Sequence, residues 1–220
     1  PLVINWSQDG REMKNFVKAA SSKISSRVQN TEYYFRPGLT WPLRSSRFCP
    51  QFLPAQSIIS VRGSGIFGDN LDEFLGVASS SIADLLLKIM SGRIGHPQFD
   101  MGDIAALPVP DLSIEHAAQC RALARRGWAL RRSLDASDET SHAFELPAVL
   151  QVDGRALADR VAAWSESISG IEAELADIQV ELDRLGAAIY GLSEADRELL
   201  AAGTSMPDAS EESDDEVDPG

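Results

Sequence analysis

Ten apolar residues between Leu157 and Ile189 recur at alternating spacings of four and three, and no other pattern restricts the fold as tightly. They are Leu157, Val161, Trp164, Ile168, Ile171, Leu175, Ile178, Leu182, Leu185 and Ile189. A 3.5-residue repeat keeps one narrow seam turned toward a partner helix, so the segment predicts a long arm packed in coiled-coil fashion. At 1.5 Å per residue such an arm spans roughly 50 Å. No seam residue is a nucleophile, acid, base or metal ligand. The arm sets distances, and function has to be sought in what it positions.

A chain of 220 residues suffices for one large domain or two small ones. It opens on Pro1 and not on Met, from which a fragment of a longer protein is expected. No apolar run is long enough to cross a bilayer, and the first residues lack a signal-peptide pattern. Cys49 and Cys120 make no disulfide framework and fit a reducing compartment. The expected home is the cytoplasm, with no membrane partner. The net charge of −13 is unevenly spread. Residues 1–50 carry eight Lys/Arg against three Asp/Glu, whereas residues 135–220 carry four against twenty-two. Local potential steers binding, so the acidic total permits a nucleic-acid partner at the basic end.

Asp9-Gly10-Arg11-Glu12 reads as a capping box ahead of a helix bearing Met13, Phe16, Val17, Ala20 and Ile24. Prolines and short β-branched or aromatic pieces over residues 32–67 predict a small sheet, with Ser57–Val61 as its clearest strand. A second helix starts after Asp69 or Asn70, carries Leu71 to Ile89, and stops at Gly92 and Gly95. Pro108 and Pro110 set up a sharp helix start at Ser113, with a run to Arg132 and small residues Ala117, Cys120 and Ala124 against the arm. Residues 133–154 connect the two helices and include an expected strand over Leu146–Val152. The acidic stretch after Leu200 cannot bury enough to fold.

Catalytic motifs are scarce. Gly63-Ser64-Gly65-Ile66-Phe67-Gly68 matches a dinucleotide loop in pattern, but its helix begins after the third glycine and no second strand ending in an acid follows. A tight glycine-bearing turn is the better reading. His96, His116 and His142 lie far apart without ligand partners at metal spacing. Asp100 and Asp103 are as well explained by a solvated loop as by a carboxylate pair. Tyr33, Tyr34, Arg36, Trp41, Arg44, Arg47, Phe48 and Arg62 interleave aromatic and basic side chains, which suits phosphate contacts, base-edge readout and stacking. Aromatics in the core beside merely wet arginines would give the same composition, and composition alone leaves both readings open.

The tract Tyr34-Phe35-Arg36-Pro37-Gly38-Leu39-Thr40-Trp41-Pro42-Leu43-Arg44 resembles one found in large adenine-specific DNA methyltransferases of fused type II restriction–modification and BREX- or DISARM-type phage defence. Three more tracts resemble that family in the same order. They are Leu53-Pro54-Ala55 through Ile66-Phe67, Gly92-Arg93 through Pro97-Gln98-Phe99-Asp100 to Pro110, and Glu181-Leu182-Asp183 through Tyr190-Gly191-Leu192. The likeness covers roughly residues 2–200. It implies the C-terminal target-recognition region, which follows a catalytic domain that binds S-adenosylmethionine and flips an adenine. The Asn/Asp-Pro-Pro-Tyr/Phe methylation signature is absent, for the chain has no Pro-Pro.

The expected fold is therefore α+β: a small mixed sheet domain with supporting helices over residues 1–111, then a long antiparallel helical hairpin over 112–200 and a disordered acidic tail over 201–220. The expected function is sequence-specific recognition of double-stranded DNA within an S-adenosylmethionine-dependent adenine-N6 methyltransferase. This chain itself would bind no cofactor and do no catalysis. Its partners would be DNA, a catalytic domain in cis or trans, and other defence-system subunits. Candidate DNA contacts are Arg36, Arg44, Arg47, Arg62, Lys88, Arg93 and Gln98; the resemblance marks Pro37, Gly38, Thr40, Trp41, Pro42, Tyr190 and Gly191 as signature residues. A type I restriction specificity subunit and a coiled-coil protein adaptor without DNA binding are the alternatives.

Overall fold

The computed structural model describes residues 4–19, 28–59, 63–93, 97–141 and 143–203. The helices in chain order are α1 (Ser7–Ala19), α2 (Leu71–Ala78), α3 (Ser81–Ser91), α4 (Met101–Ala105), α5 (Ile114–Asp135), α6 (Leu157–Ile189) and α7 (Glu194–Gly203). The strands are β1 (Gly38–Thr40), β2 (Gln51–Leu53) and β3 (Gly65–Ile66).

The arm is the element that the sequence defines best, since α6 begins and ends on the first and last seam residues. The proline-set start of α5 is equally clear: Ser113 is its cap, and the Ser113 hydroxyl accepts from the His116 N–H at 3.1 Å. The two helices run antiparallel. Cys120 packs with Leu185, Gly127 lies beside Ile178, and the Arg126 guanidinium donates to both Glu174 oxygens at 2.5 and 2.6 Å. Burial of the seam is uneven. Leu182 and Leu185 are 5% and 2% exposed, but Leu157 and Val161 are 67% and 51% exposed. The cause is length: α5 has 22 residues against 33 in α6, and it ends before reaching the arm's first turns. Among the described residues the connecting segment lies there, where Arg160 donates to the carbonyls of Gly154 and Val149.

The sheet is smaller than expected and wholly antiparallel, in the order β2-β1-β3. Gly38 faces Leu53 across one edge, and Leu39 faces both Phe52 and Ile66. Ser57–Ile59 do not form the expected strand; Ser60 and Val61 lie outside the described residues. Ser57 spends its N–H on the Pro54 carbonyl and its carbonyl on the Phe35 N–H, which leaves no ladder to join. Leu146–Val152 is not a strand either. After Pro147 the chain tightens into a 3-10 turn over Ala148–Leu150, with Leu150 N–H bonded to the Pro147 carbonyl.

The expected second helix is two helices. Ser80 breaks it, accepting from the Ala83 N–H at 3.3 Å as the cap of α3, and the axes turn by 78°. Hydroxyls that bond nearby backbone favour such caps over helix interior. The Asp9–Glu12 capping box does not form: Gln8, Asp9 and Gly10 adopt left-handed backbone, Asp9 pairs with Lys14, and Glu12 accepts from Asn5. Helix α7 runs past residue 200, where the tail was expected to begin; residues 204–220 lie outside those described.

The core joins these parts. Trp41, Phe48, Ala78, Ala83, Leu87, Phe99, Ile104 and Leu107 make one buried cluster, and Leu39, Leu75 and Ala124 tie sheet, α2 and α5 into another. Among the described residues no single helix is long and apolar enough to cross a membrane. The bent α2–α3 pair matches in composition, but Leu75, Val77, Ala78, Ala83 and Leu87 spend its apolar face on the core.

Candidate nucleic-acid interface

Two of the tracts that carry the family resemblance lie side by side. The Trp41 indole, 2% exposed, donates to the Phe99 carbonyl at 2.9 Å, and the Phe99 N–H donates to the Leu43 carbonyl at 2.9 Å. Arg44 and Gln98 form an isolated antiparallel bridge one step further. Three aromatics hold this junction: Phe48 meets Trp41 edge-on at 6.0 Å and Phe99 at a tilt at 5.2 Å. An aromatic cluster of this kind fixes backbone position beneath whatever the surface residues do.

Above it, four polar side chains form a chain of contacts. Arg44 Nε donates to Gln98 Oε1 at 3.3 Å, and Gln98 Nε2 donates to both Asp100 oxygens at 3.0 and 3.2 Å. Arg93 donates to Asp100 Oδ2 at 3.3 Å, with the two side chains 48% and 45% exposed. Three of the expected contact residues are thus linked: Asp100 pairs with Arg93 and Gln98 and not with Asp103, and Gln98 carries the connection to Arg44. The amide of Gln98 is engaged at both ends, which makes it a positioner of Arg44. Arg44 is pinned through Nε, while its outer N–H groups have no partner among the described residues. A fork of donors held this way matches the paired acceptors on the major-groove edge of guanine.

The other candidates are placed differently. Lys88 pairs with Asp84 at 2.9 Å, and the two side chains are only 19% and 13% exposed. Asp84 also accepts from the Phe48 N–H at 2.7 Å, so Lys88 neutralises a nearly buried carboxylate that holds the loop after Arg47. Arg47 itself is half-buried. Arg36 is exposed, with its guanidinium 5.6 Å from the Tyr33 ring centre. Arg62 lies outside the described residues.

Most signature residues do structural work. A Cβ on Gly38 would stand 2.6 Å from the Ile66 carbonyl oxygen, so only glycine lets β3 lie this close to β1. Thr40 donates its hydroxyl to the Ser64 carbonyl at 2.9 Å. Pro42 is exposed, and Pro37 edges a groove. At the end of α6, Gly191 takes φ of 68° and donates to the Ala188 carbonyl, closing the helix, while Tyr190 packs against Val77, Cys120 and Leu185. The Gly63–Gly68 stretch is a strand and turn, for Gly65 sits in β3 and α2 starts beyond Gly68 at Leu71.

The open groove, about 680 Å³, runs between β2 and α5 and was not foreseen. Its walls include Phe52, Asp72, Arg125, Trp128 and Arg132. Arg125 pairs with Asp72 and Arg121 with Glu73, and Arg132 lies over the Trp128 ring at 5.6 Å. The i, i+4 spacings of Arg121 with Arg125 and of Trp128 with Arg132 were the available signal. Among the described residues no cluster of His, Cys, Asp and Glu could hold a metal ion. No protein-family model matches this chain, and no curated protein matches it.

Proposed function

We propose that this chain is the sequence-reading part of an adenine-N6 DNA methyltransferase of restriction–modification or phage defence. One observation supports the reading above the rest: two tracts 54 residues apart, both carrying the family resemblance, meet at Arg44 and Gln98. In this reading Arg44 contacts a guanine edge, Arg93 and Arg36 contact phosphates, and Gln98 with Asp100 holds the arginines in place. The hairpin fixes this surface relative to a catalytic domain, in cis or trans, that carries S-adenosylmethionine and receives the extruded adenine. Such a protein works in the cytoplasm, where the DNA is.

Enrichment of randomised duplex DNA on the purified chain, at two salt concentrations, tests this. The expected result is a short recovered motif whose binding weakens with salt. Absence of any duplex binding at low salt would sink the proposal. A second reading, a coiled-coil adaptor for a protein partner, has its own support in the exposed apolar residues of the hairpin's far end: Phe144, Leu146, Leu150, Leu157 and Val161. A salt-insensitive protein complex without DNA affinity would favour it.

A further inference from the structure

Tyr33 and Phe35 are 38% and 40% exposed, although the nearby Trp41, Phe48 and Phe99 are each 2% exposed. Burying such rings is favourable, so their position at the surface needs a cause. The backbone makes the point sharper. Phe35 takes φ of 62°, and its N–H is bonded to the Ser57 carbonyl at 2.9 Å. A bulky L-residue rarely adopts that conformation, and backbone strain of this kind clusters where a ligand is held.

Each ring has an aromatic neighbour. Trp6 meets Phe35 edge-on at 5.6 Å and Tyr34 at 5.0 Å, while Phe67 lies 5.0 Å from Tyr33. Cations flank the patch. Arg36 lies over the Tyr33 ring with no carboxylate partner among the described residues, and Lys14, which pairs with Asp9, lies over the Trp6 ring at 5.3 Å.

We infer that the exposed Phe35 ring is a stacking face for an unpaired nucleobase, with Arg36 on the adjoining phosphate. A rigid aromatic surface beside a free arginine matches a flat π face joined to an anionic backbone. Paired bases present only their edges, so the ligand is a base outside the helical stack. The inference rests on the DNA reading above, because extruding an adenine breaks its pair and frees the opposite base to leave the stack.

The test is fluorescence anisotropy of labelled oligothymidine with the full chain at low salt, beside a duplex of the enriched sequence. Phe35→Gly removes the ring at a φ that glycine adopts freely, so the fold is kept, and circular dichroism checks it. Phe35→Gly is expected to weaken oligothymidine binding about tenfold and Phe35→Tyr to restore it. Unaltered affinity in Phe35→Gly overturns the stacking face. Duplex binding without any oligothymidine binding overturns the stacking face and leaves the duplex reading standing. Oligothymidine binding that depends on Phe35, without duplex binding, keeps the stacking face and removes duplex recognition. Failure of both probes removes both.

Discussion

Asp183, near the end of the arm, accepts from the Ser81 N–H at 2.7 Å and from the Ser81 hydroxyl at 3.0 Å, across 102 residues of sequence. Ser81 is the first residue of α3, where a helix leaves its N–H groups without internal partners and favours a negative charge. Gln179 adds to the joint, donating to the Ser79 carbonyl and to Asp183. The arm is therefore latched to the turn between α2 and α3, and the Glu181-Leu182-Asp183 tract has a physical role: Leu182 buries while Asp183 latches.

Asp183→Ala is expected to cost about 1–2 kcal/mol of stability, the range for losing a helix-terminal hydrogen-bond acceptor. Asp183→Asn keeps one acceptor oxygen and should cost less. Thermal unfolding of the two variants checks the order. Equal melting temperatures for wild type and Asp183→Ala would show that the latch contributes nothing.

The uneven burial of the seam predicts an equally uneven response to truncation. Leu185→Ala empties a site 2% exposed and is expected to cost about 2–5 kcal/mol, as large-to-small core changes do. Leu157→Ala, at a side chain 67% exposed, should stay within about 0.5 kcal/mol. Urea midpoints of the two variants decide it; similar losses would mean that the arm's first turns are covered in solution.

The bounds of α6 and the start of α5 were legible because each follows from a local rule: a repeat that any 3.5-residue seam must show, and a serine cap after two prolines. The strands were not, since two or three residues hold too little pattern. Gly38–Thr40 pairs because Gln51–Leu53 and Gly65–Ile66 come to it, whereas the more strand-like Ser57–Ile59 gives its hydrogen bonds elsewhere. The break at Ser80 was signalled by three consecutive serines and masked by the apolar run on both sides. In the candidate site, residue types were legible and partners were not. Lys88 could have been matched to Asp84 by its i, i+4 spacing, but nothing local couples Arg44 to Gln98.

Cys120 supplies a pH-dependent prediction. Burial, and next the charge of Glu73, push its thiol up to about 11 from an ordinary 9.0. Between these values the unfolded chain releases a proton that the folded chain keeps, so stability falls as pH rises from about 9 to 11. Below pH 9 the thiol is neutral in both states and adds no slope. Cys120→Ala should remove this component of the alkaline decline in melting temperature. In the wild type at pH 8, a thiol reagent should modify exposed Cys49 and reach Cys120 only on unfolding.

The polar chain from Arg44 to Arg93 makes the last prediction one about coupling. If Arg44 reads guanine, Arg44→Ala should cost about 1–3 kcal/mol of discrimination between the preferred duplex and one changed at that base. Gln98→Ala leaves the arginine in place but frees its Nε, so it should lower discrimination by a smaller amount. Because Gln98 acts through Arg44, the double variant should resemble Arg44→Ala alone, and the two losses should not add. Arg93→Ala, at a phosphate, should weaken binding to both duplexes alike and flatten the salt dependence by roughly one counterion. Competition binding of the two duplexes at several salt concentrations separates these effects. Additive losses from Arg44→Ala and Gln98→Ala would show that Gln98 contacts DNA for itself, and unchanged discrimination in Arg44→Ala would remove Arg44 as the reader.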